Sequence, residues 1–201
     1  MTGDARPSLI ALAGPNGAGK STAGPSLLKD TLGITEFVNA DLIAQGLSPF
    51  APDRAAVAAG RIMLARLRDL ARQRATFAFE TTLAGRAYVR WIAGLIDRGY
   101  LFHVIFLWLP SPEHAIARVA DRVRRGGHHV PDEVVRRRYH GGLRNFFRLY
   151  RPMAESWRLY DNTRGVVPHL VARGGRAAAT RVFDDLTWRR VTRGIEDGHQ
   201  T

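Results

Sequence analysis

One stretch limits what this chain can fold into more than any other. It is Gly14-Pro15-Asn16-Gly17-Ala18-Gly19-Lys20-Ser21-Thr22, which fits the pattern G-x-x-x-x-G-K-[ST]. In such a loop the backbone N–H groups wrap nucleotide phosphates, the lysine reaches the outer phosphates, and the Ser/Thr hydroxyl helps to hold Mg²⁺. All nine residues are assigned to nucleotide binding on this ground, with Ser21 also a metal contact and Lys20 also catalytic. The flanks agree. Ser8 to Ala13 is an apolar run of strand length, and Lys20 to Asp30 is helix-compatible, with Pro25 tightening the early turns. A strand, a Gly-rich loop and a helix N-terminus together form an anion site, because unpaired N–H groups and the helix dipole both favour phosphate there.

The rest of the chain supplies strands and helices in alternation, which points to an α/β fold. A second short strand over Thr35 to Asp41 is expected, then a Pro-punctuated loop and a helix from about Asp53 with Met63, Leu67 and Leu70 inward. Thr76 to Thr82 reads as a third strand and Leu101 to Leu109 as a fourth, the latter apolar enough to be covered on both faces. Ser111 caps the next helix, with Pro112 in its first turn and Ile116, Val119 and Val123 as its apolar stripe. A helix from Asp132 buries Val135, Tyr139, Leu143, Phe146 and Tyr150. Trp157 to Thr163 gives a fifth strand and its exit, Val166 to Ala172 a further short strand, and Thr180 to Val191 a closing helix. Met1 to Pro7 and Gly194 to Thr201 read as loose ends. The expected architecture is three layers around a central, mainly parallel five-stranded sheet, with a short Arg-rich lid over about 122–131.

At 201 residues one domain, 1–201, is expected. No apolar run approaches a membrane span and there is no cysteine, so disulfides and Cys-ligated metals are excluded and a soluble cytoplasmic protein is the plain reading. The formal net charge is +12, and of the 30 basic residues only Lys20 and Lys29 are lysine. A compact ammonium suits the phosphate loop. The arginines fit an anionic substrate, nucleic acid or an acidic protein partner, with genome composition as the plain alternative.

In a parallel α/β sheet, ligands sit at the carboxyl ends of the strands. Asn39 and Asp41 close the second strand there, and Asp41 fits two compatible roles: a helix N-cap, and the base that receives an acceptor hydroxyl's proton. Glu80, with Thr81 and Thr82, closes the third strand. Its carboxylate fits the Mg²⁺ shell, or an ion pair with an arginine such as Arg86. Asn39, Asp41, Glu80 and Thr82 form the expected substrate-binding set, with Glu80 and Ser21 as the metal pair. Arg118, Arg122 and Arg125 recur at i, i+4 and i+7 on one helix face before Gly126-Gly127-His128-His129. A plain solvated face is one reading. The other is a mobile lid in which Arg118 contacts nucleotide and Arg122 and Arg125 neutralise transition-state charge. The helix from Asp132 also carries a basic surface at Arg136 to Arg138, open to two readings that spacing alone does not separate: the place where nucleic acid or an acidic partner binds, or an addition to the lid. His103 reads as a satisfied core or edge histidine, and His128 and His129 receive no role.

The order of these stretches resembles the zeta-toxin family of phosphate-loop kinases: the loop at Gly14, Val38-Asn39-Ala40-Asp41, Phe79-Glu80-Thr81-Thr82 and Val123 to Pro131. The likeness runs over about 8–163. It implies a P-loop NTPase fold of kinase type and ATP- and Mg²⁺-dependent phosphorylation of a UDP-activated amino sugar such as UDP-N-acetylglucosamine. By the same resemblance Lys20 and Ser21 bind phosphates and Mg²⁺, Asp41 is the base, Glu80 is the acid after strand three, and a small antitoxin is a partner. Two other readings stay open on the residues alone. One is a kinase for a nucleic-acid end or another small metabolite; the other is a nucleotide-dependent, nucleic-acid-binding ATPase that transfers nothing.

Overall fold

The computed structural model describes residues 6–25, 27–28, 33–164 and 167–196. Among these the sheet has seven strands: β1 (Ser8–Ala13), β2 (Phe37–Val38), β3 (Phe77–Thr81), β4 (Leu101–Trp108), β5 (Ser156–Asp161), β6 (His169–Gly174) and β7 (Arg181–Val182). Their spatial order is β2-β3-β1-β4-β5-β6-β7. The first five are parallel, and β6 and β7 add to the β5 edge antiparallel. The five-stranded parallel sheet is therefore present and is extended by two strands. The strand order reverses about β1, whose neighbours are β3 and β4. The crevice where ligands bind such sheets accordingly opens at the carboxyl end of β1, where the phosphate loop begins.

The helices are α1 (Lys20–Pro25), α2 (Ala40–Leu47), α3 (Pro52–Arg72), α4 (Ala87–Asp97), α5 (Pro112–Arg124), α6 (Asp132–Asn145), α7 (Arg151–Met153) and α8 (Asp185–Glu196). A π-helical segment at Phe146–Tyr150 joins α6 to α7. β1 explains the layering: Leu9, Ala11 and Ala13 pack into one apolar cluster, with Met63, Leu67, Leu70, Ile92 and Phe146. Ile10 and Leu12 face the other, with Ala115, Val119, Val135 and Tyr139. A strand covered on both faces has no polar side to spare, hence its unbroken apolar sequence. The five apolar positions spaced along the helix from Asp132 are all buried, as are Met63, Leu67 and Leu70 of α3.

Three local expectations shift. The second strand is only two residues long, because Asn39, not Asp41, caps α2: its Oδ1 accepts from the N–H groups of Asp41 (2.7 Å) and Leu42 (3.2 Å). Asp41 thus lies in the helix's first turn. The closing helix starts at Asp185 rather than near Thr180, since Asp184 Oδ1 caps it through Thr187 N (3.0 Å) and Arg181–Val182 pair with β6. Finally, β6 begins at His169; residues 165–166 lie outside the described set, as do 1–5, 26, 29–32 and 197–201 of the segments considered above. Among the described residues no helix is long and apolar enough to cross a membrane.

Candidate active site

The phosphate loop turns on glycine. Gly14, Gly17 and Gly19 have φ of 144°, 76° and 78°, in the region that favours glycine. A Cβ on Gly14 would meet Leu107 O at 2.3 Å, and one on Gly19 would meet Asn162 Nδ2 at 2.6 Å. The loop therefore lies hard against β4 and the exit of β5. Asn162 Nδ2 also donates to Ala18 O at 2.8 Å, bracing the loop from beneath.

Lys20 is 6% exposed. Its Nζ donates to Gly14 O and Pro15 O, both at 2.9 Å, and lies 3.7 Å from Glu80 Oε1. Burial pulls this ammonium below its ordinary value; the carboxylates of Glu80 and Asp41 oppose that, and Arg122 adds to it. Glu80 is the hub of the site. Besides the ion pair, its Oε2 accepts from Asn39 Nδ2 (2.7 Å) and Ser21 Oγ (3.1 Å). The carboxylate thus pairs with Lys20, not with Arg86. Its position is held from behind: Leu83, buried and at φ 55°, opens a turn whose carbonyls at Leu83, Ala84 and Gly85 accept from Asn145 Nδ2 (2.8 and 3.0 Å) and Tyr150 OH (3.0 Å). Burial pushes the Tyr150 phenol up to about 12, so it stays a donor.

Ser21 and Glu80 present a hydroxyl and a carboxylate side by side. Mg²⁺ at phosphate sites takes one or two protein oxygens and completes its shell with substrate phosphates and water, so this pair fits the ion. Among the described residues no group of three or more acidic or histidine side chains stands ready to hold a metal alone.

A cavity of about 670 Å³ opens over the loop. It is lined by Asn16, Gly17, Gly19, Lys20, Ser21 and Thr22 of the loop, by Glu80, and by Arg118, Arg122 and Arg125 of the expected lid. Arg118 Nη2 donates to Thr163 O (2.6 Å) and Arg122 Nη2 to His128 O (3.1 Å), so both are held by backbone carbonyls at the cavity wall.

A family model for an AAA domain (AAA_33) matches residues 9–149. The chain belongs to that family. An uncharacterized protein of Haemophilus influenzae is 30% identical to this AAA domain protein over 126 residues, 63% of this chain and 88% of its own. Among solved structures, the AvrRxo1-ORF1:AvrRxo1-ORF2 complex with sulphate ions gives a TM-score of 0.73 at 16% identity over 94% of this chain. This chain spans 64% of that one. The same pair solved with ATP gives 0.70. A chain of the PezAT toxin–antitoxin system of Streptococcus pneumoniae gives 0.62 at 14% identity, covering 96% of this chain and 86% of its own. At such identities the likeness is one of fold, an α/β arrangement with a mostly parallel sheet between helices.

Within this AAA domain the expected residues divide into three groups. The loop, Glu80 and the three lid arginines meet at the cavity. Asn39 and Asp41 do not line it: the Asn39 amide is committed to Glu80 and to the α2 cap, while Asp41 is exposed and its charge is felt at both Lys20 and Arg138. Thr82 does not line the cavity; its Oγ1 accepts from Ala84 N (3.4 Å) in the turn after β3. Two residues enter to which the sequence assigned no site role, Asn162 and Arg164, and a third, Arg138, that it offered only within the Arg136–Arg138 run. Arg138 of α6 is half-buried and donates to Asn16 Oδ1 (3.4 Å), with burial lowering its pKa and Asp41 opposing. Asn162 and Arg164, just past β5, line the cavity wall. The carboxyl-end rule could have flagged Asn162; Arg138 was hidden inside a run of three arginines.

Proposed function

We propose that the protein is an ATP- and Mg²⁺-dependent phosphotransferase that moves the γ-phosphate of ATP to a hydroxyl of a small anionic acceptor. The acceptor we favour is a UDP-activated amino sugar such as UDP-N-acetylglucosamine. One observation carries the reading: a carboxylate, Asp41, is set in the first turn of α2 within the electrostatic reach of both Lys20 and Arg138. A carboxylate at the start of α2 whose charge is felt by the lysine of the phosphate loop and by an arginine that touches the same loop suits an alcohol attacking a terminal phosphate. In this reading Lys20 exchanges the Gly14 and Pro15 carbonyls for the outer phosphates. Asp41 orients the acceptor hydroxyl and takes its proton. Arg118, Arg122 and Arg125 draw in from the cavity wall and, with Arg138 beside the loop, share the charge that develops on transfer. Ser21 and Glu80 would hold Mg²⁺, which supplies charge neutralisation at those phosphates when bound. Most of the acceleration comes from positioning and electrostatics, without a covalent intermediate on the protein.

The AvrRxo1 pair solved with ATP supports the nucleotide, and the PezAT toxin–antitoxin system supports an antitoxin partner. An ATP-dependent enzyme acting on a UDP-sugar would work in the cytoplasm, where both are held. The net charge of +12 also favours a second acceptor, a nucleic-acid 5′ end. The test incubates purified protein with γ-labelled ATP, Mg²⁺ and a panel of UDP-sugars, nucleosides and oligonucleotides. Label on a UDP-amino sugar is the expected result. Label on oligonucleotide ends moves the acceptor, and label released only as inorganic phosphate overturns the transferase reading.

A further inference from the structure

The apolar residues this fold leaves in solvent are not scattered evenly. Of nine large hydrophobic side chains exposed among the described residues, six lie between Leu42 and Leu64, on the α2–α3 arm. Phe50, between the two helices, is fully exposed, and Val57 of α3 is 72% exposed. Concentrated exposure of this kind marks interaction surfaces, whereas single exposed leucines do not.

The solvent face of α3 has a regular composition. Arg54, Val57, Arg61, Leu64 and Arg68 succeed one another at spacings of three and four, and all five are exposed. They form a straight seam about 21 Å long at 1.5 Å per residue. It lies opposite the buried positions Ala59, Met63, Leu67 and Leu70, and its five residues are exposed among the described residues. Ala58 and Ala65 beside it are exposed as well, and a Cβ on Gly60 would meet nothing within 4 Å, so another backbone can approach closely. The charges are unsatisfied. Elsewhere on the surface Arg66 pairs with Glu36, Arg72 with Asp69, Arg124 with Asp121 and Arg136 with Glu113. Arg54, Arg61 and Arg68 have no acidic partner among the described residues. At its far end the seam opens onto a hollow of about 440 Å³ whose wall holds Arg68, Arg72 and Arg98 against one carboxylate, Asp69, which pairs with Arg72, and an indole, Trp91.

We infer that the α3 seam is the docking site for an acidic amphipathic helix of a partner protein. A helix face offers no free backbone groups to an added strand, so the occupant must read side chains. A three-four spacing of alternating cation and aliphatic is matched by a second helix carrying carboxylates opposite the arginines and apolar residues opposite Val57 and Leu64. A second copy of this chain would set arginine against arginine. Nucleic acid would use the cations but leave Val57, Leu64 and Phe50 without partners. The seam is separate from the cavity over the phosphate loop, so its occupancy and nucleotide binding are measured independently.

The probe is a synthetic 21-residue helix with Leu at the seam-facing positions and Glu flanking them, monitored by fluorescence anisotropy. A scrambled peptide of the same composition and a 20-base-pair DNA duplex serve as competitors. The helical peptide is expected to bind at least about tenfold more tightly than its scrambled form. Val57→Asp with Leu64→Asp should weaken it by about tenfold or more, and Arg61→Glu should weaken it and flatten its salt dependence. All variants should bind ATP as the parent does and melt with it, since the substituted positions face solvent. Equal binding of the scrambled peptide, or an unchanged affinity in the Val57/Leu64 variant, would overturn the inference. So would tighter binding of the duplex through the same arginines, or a dimer that Val57→Asp dissolves.

Discussion

Replacing Glu80 by Gln keeps the shape of the side chain and removes its charge. The carboxylate serves three groups: Lys20 Nζ at 3.7 Å from one oxygen, and Asn39 Nδ2 and Ser21 Oγ at 2.7 and 3.1 Å from the other. All are donors. A glutamine must turn its own NH₂ either towards the ammonium or towards the two hydrogen-bond donors, and both arrangements set donor against donor. The pair is largely buried, at 6% and 11% side-chain exposure. Removing one member of such a pair costs about 3–5 kcal/mol, and the carbonyl bonds Lys20 keeps place this case near about 3 kcal/mol. For a chain of this length each kcal/mol moves Tm by about 2–4 °C, so the empty Glu80→Gln protein should melt roughly 6–12 °C lower. Calorimetric titration with ATP supplies the second readout. Without Mg²⁺ the variant should bind ATP at least as well as the parent, because no carboxylate competes for Lys20. The gain in affinity that Mg²⁺ gives the parent should disappear. A melting point within about 1 °C of the parent, together with an intact Mg²⁺ effect, would refute Glu80 as the hub.

The same geometry sets three more outcomes. Gly19→Ala places a Cβ 2.6 Å from Asn162 Nδ2 at a φ of 78°, so nucleotide affinity should fall by about 100-fold or more, measured by titration. Asn39→Ala loses both the α2 cap and the Glu80 contact and should cost about 2 kcal/mol in urea unfolding, whereas Asn39→Ser keeps a cap and should recover about half. Lys20 has its pKa lowered from 10.5 by burial in the empty site, so between that lowered value and 10.5 the unfolded chain holds the proton better. Stability from this group therefore rises with pH in that window. Phosphates beside the ammonium favour its protonated form, so ATP binding measured at a pH inside that window should take up protons, read as a buffer-dependent heat; no uptake at any pH up to 10.5 would contradict the lowered value.

Much of the site was legible because phosphate binding demands particular residues in a short span. Gly14 to Thr22 carries its own geometry, and the carboxyl-end rule, together with the family resemblance, pointed to Asp41 and Glu80; Glu80 lines the cavity and Asp41 does not. Asn39 shows where that reasoning stops. Its residue type is right for a cap, but nothing in sequence says that the other end of the amide reaches Glu80, 41 positions away. Arg138 is the same case at greater range, 122 positions from Asn16. Apolar spacing identified the buried face of α6 correctly, yet it does not tell which of Arg136, Arg137 and Arg138 bends back to the loop. The two antiparallel strands were harder to read because Arg181–Val182 is a two-residue pairing with β6 and carries no periodic signal.

The most direct test of the account is turnover by Asp41→Asn beside Lys20→Ala, with γ-labelled ATP and the acceptor that the panel identifies. Asp41→Asn should bind ATP within about threefold of the parent yet transfer phosphate at least about 100-fold more slowly, while Lys20→Ala should lose binding as well as transfer. Full turnover by Asp41→Asn would contradict the central claim that the carboxylate in the first turn of α2 works on the acceptor hydroxyl.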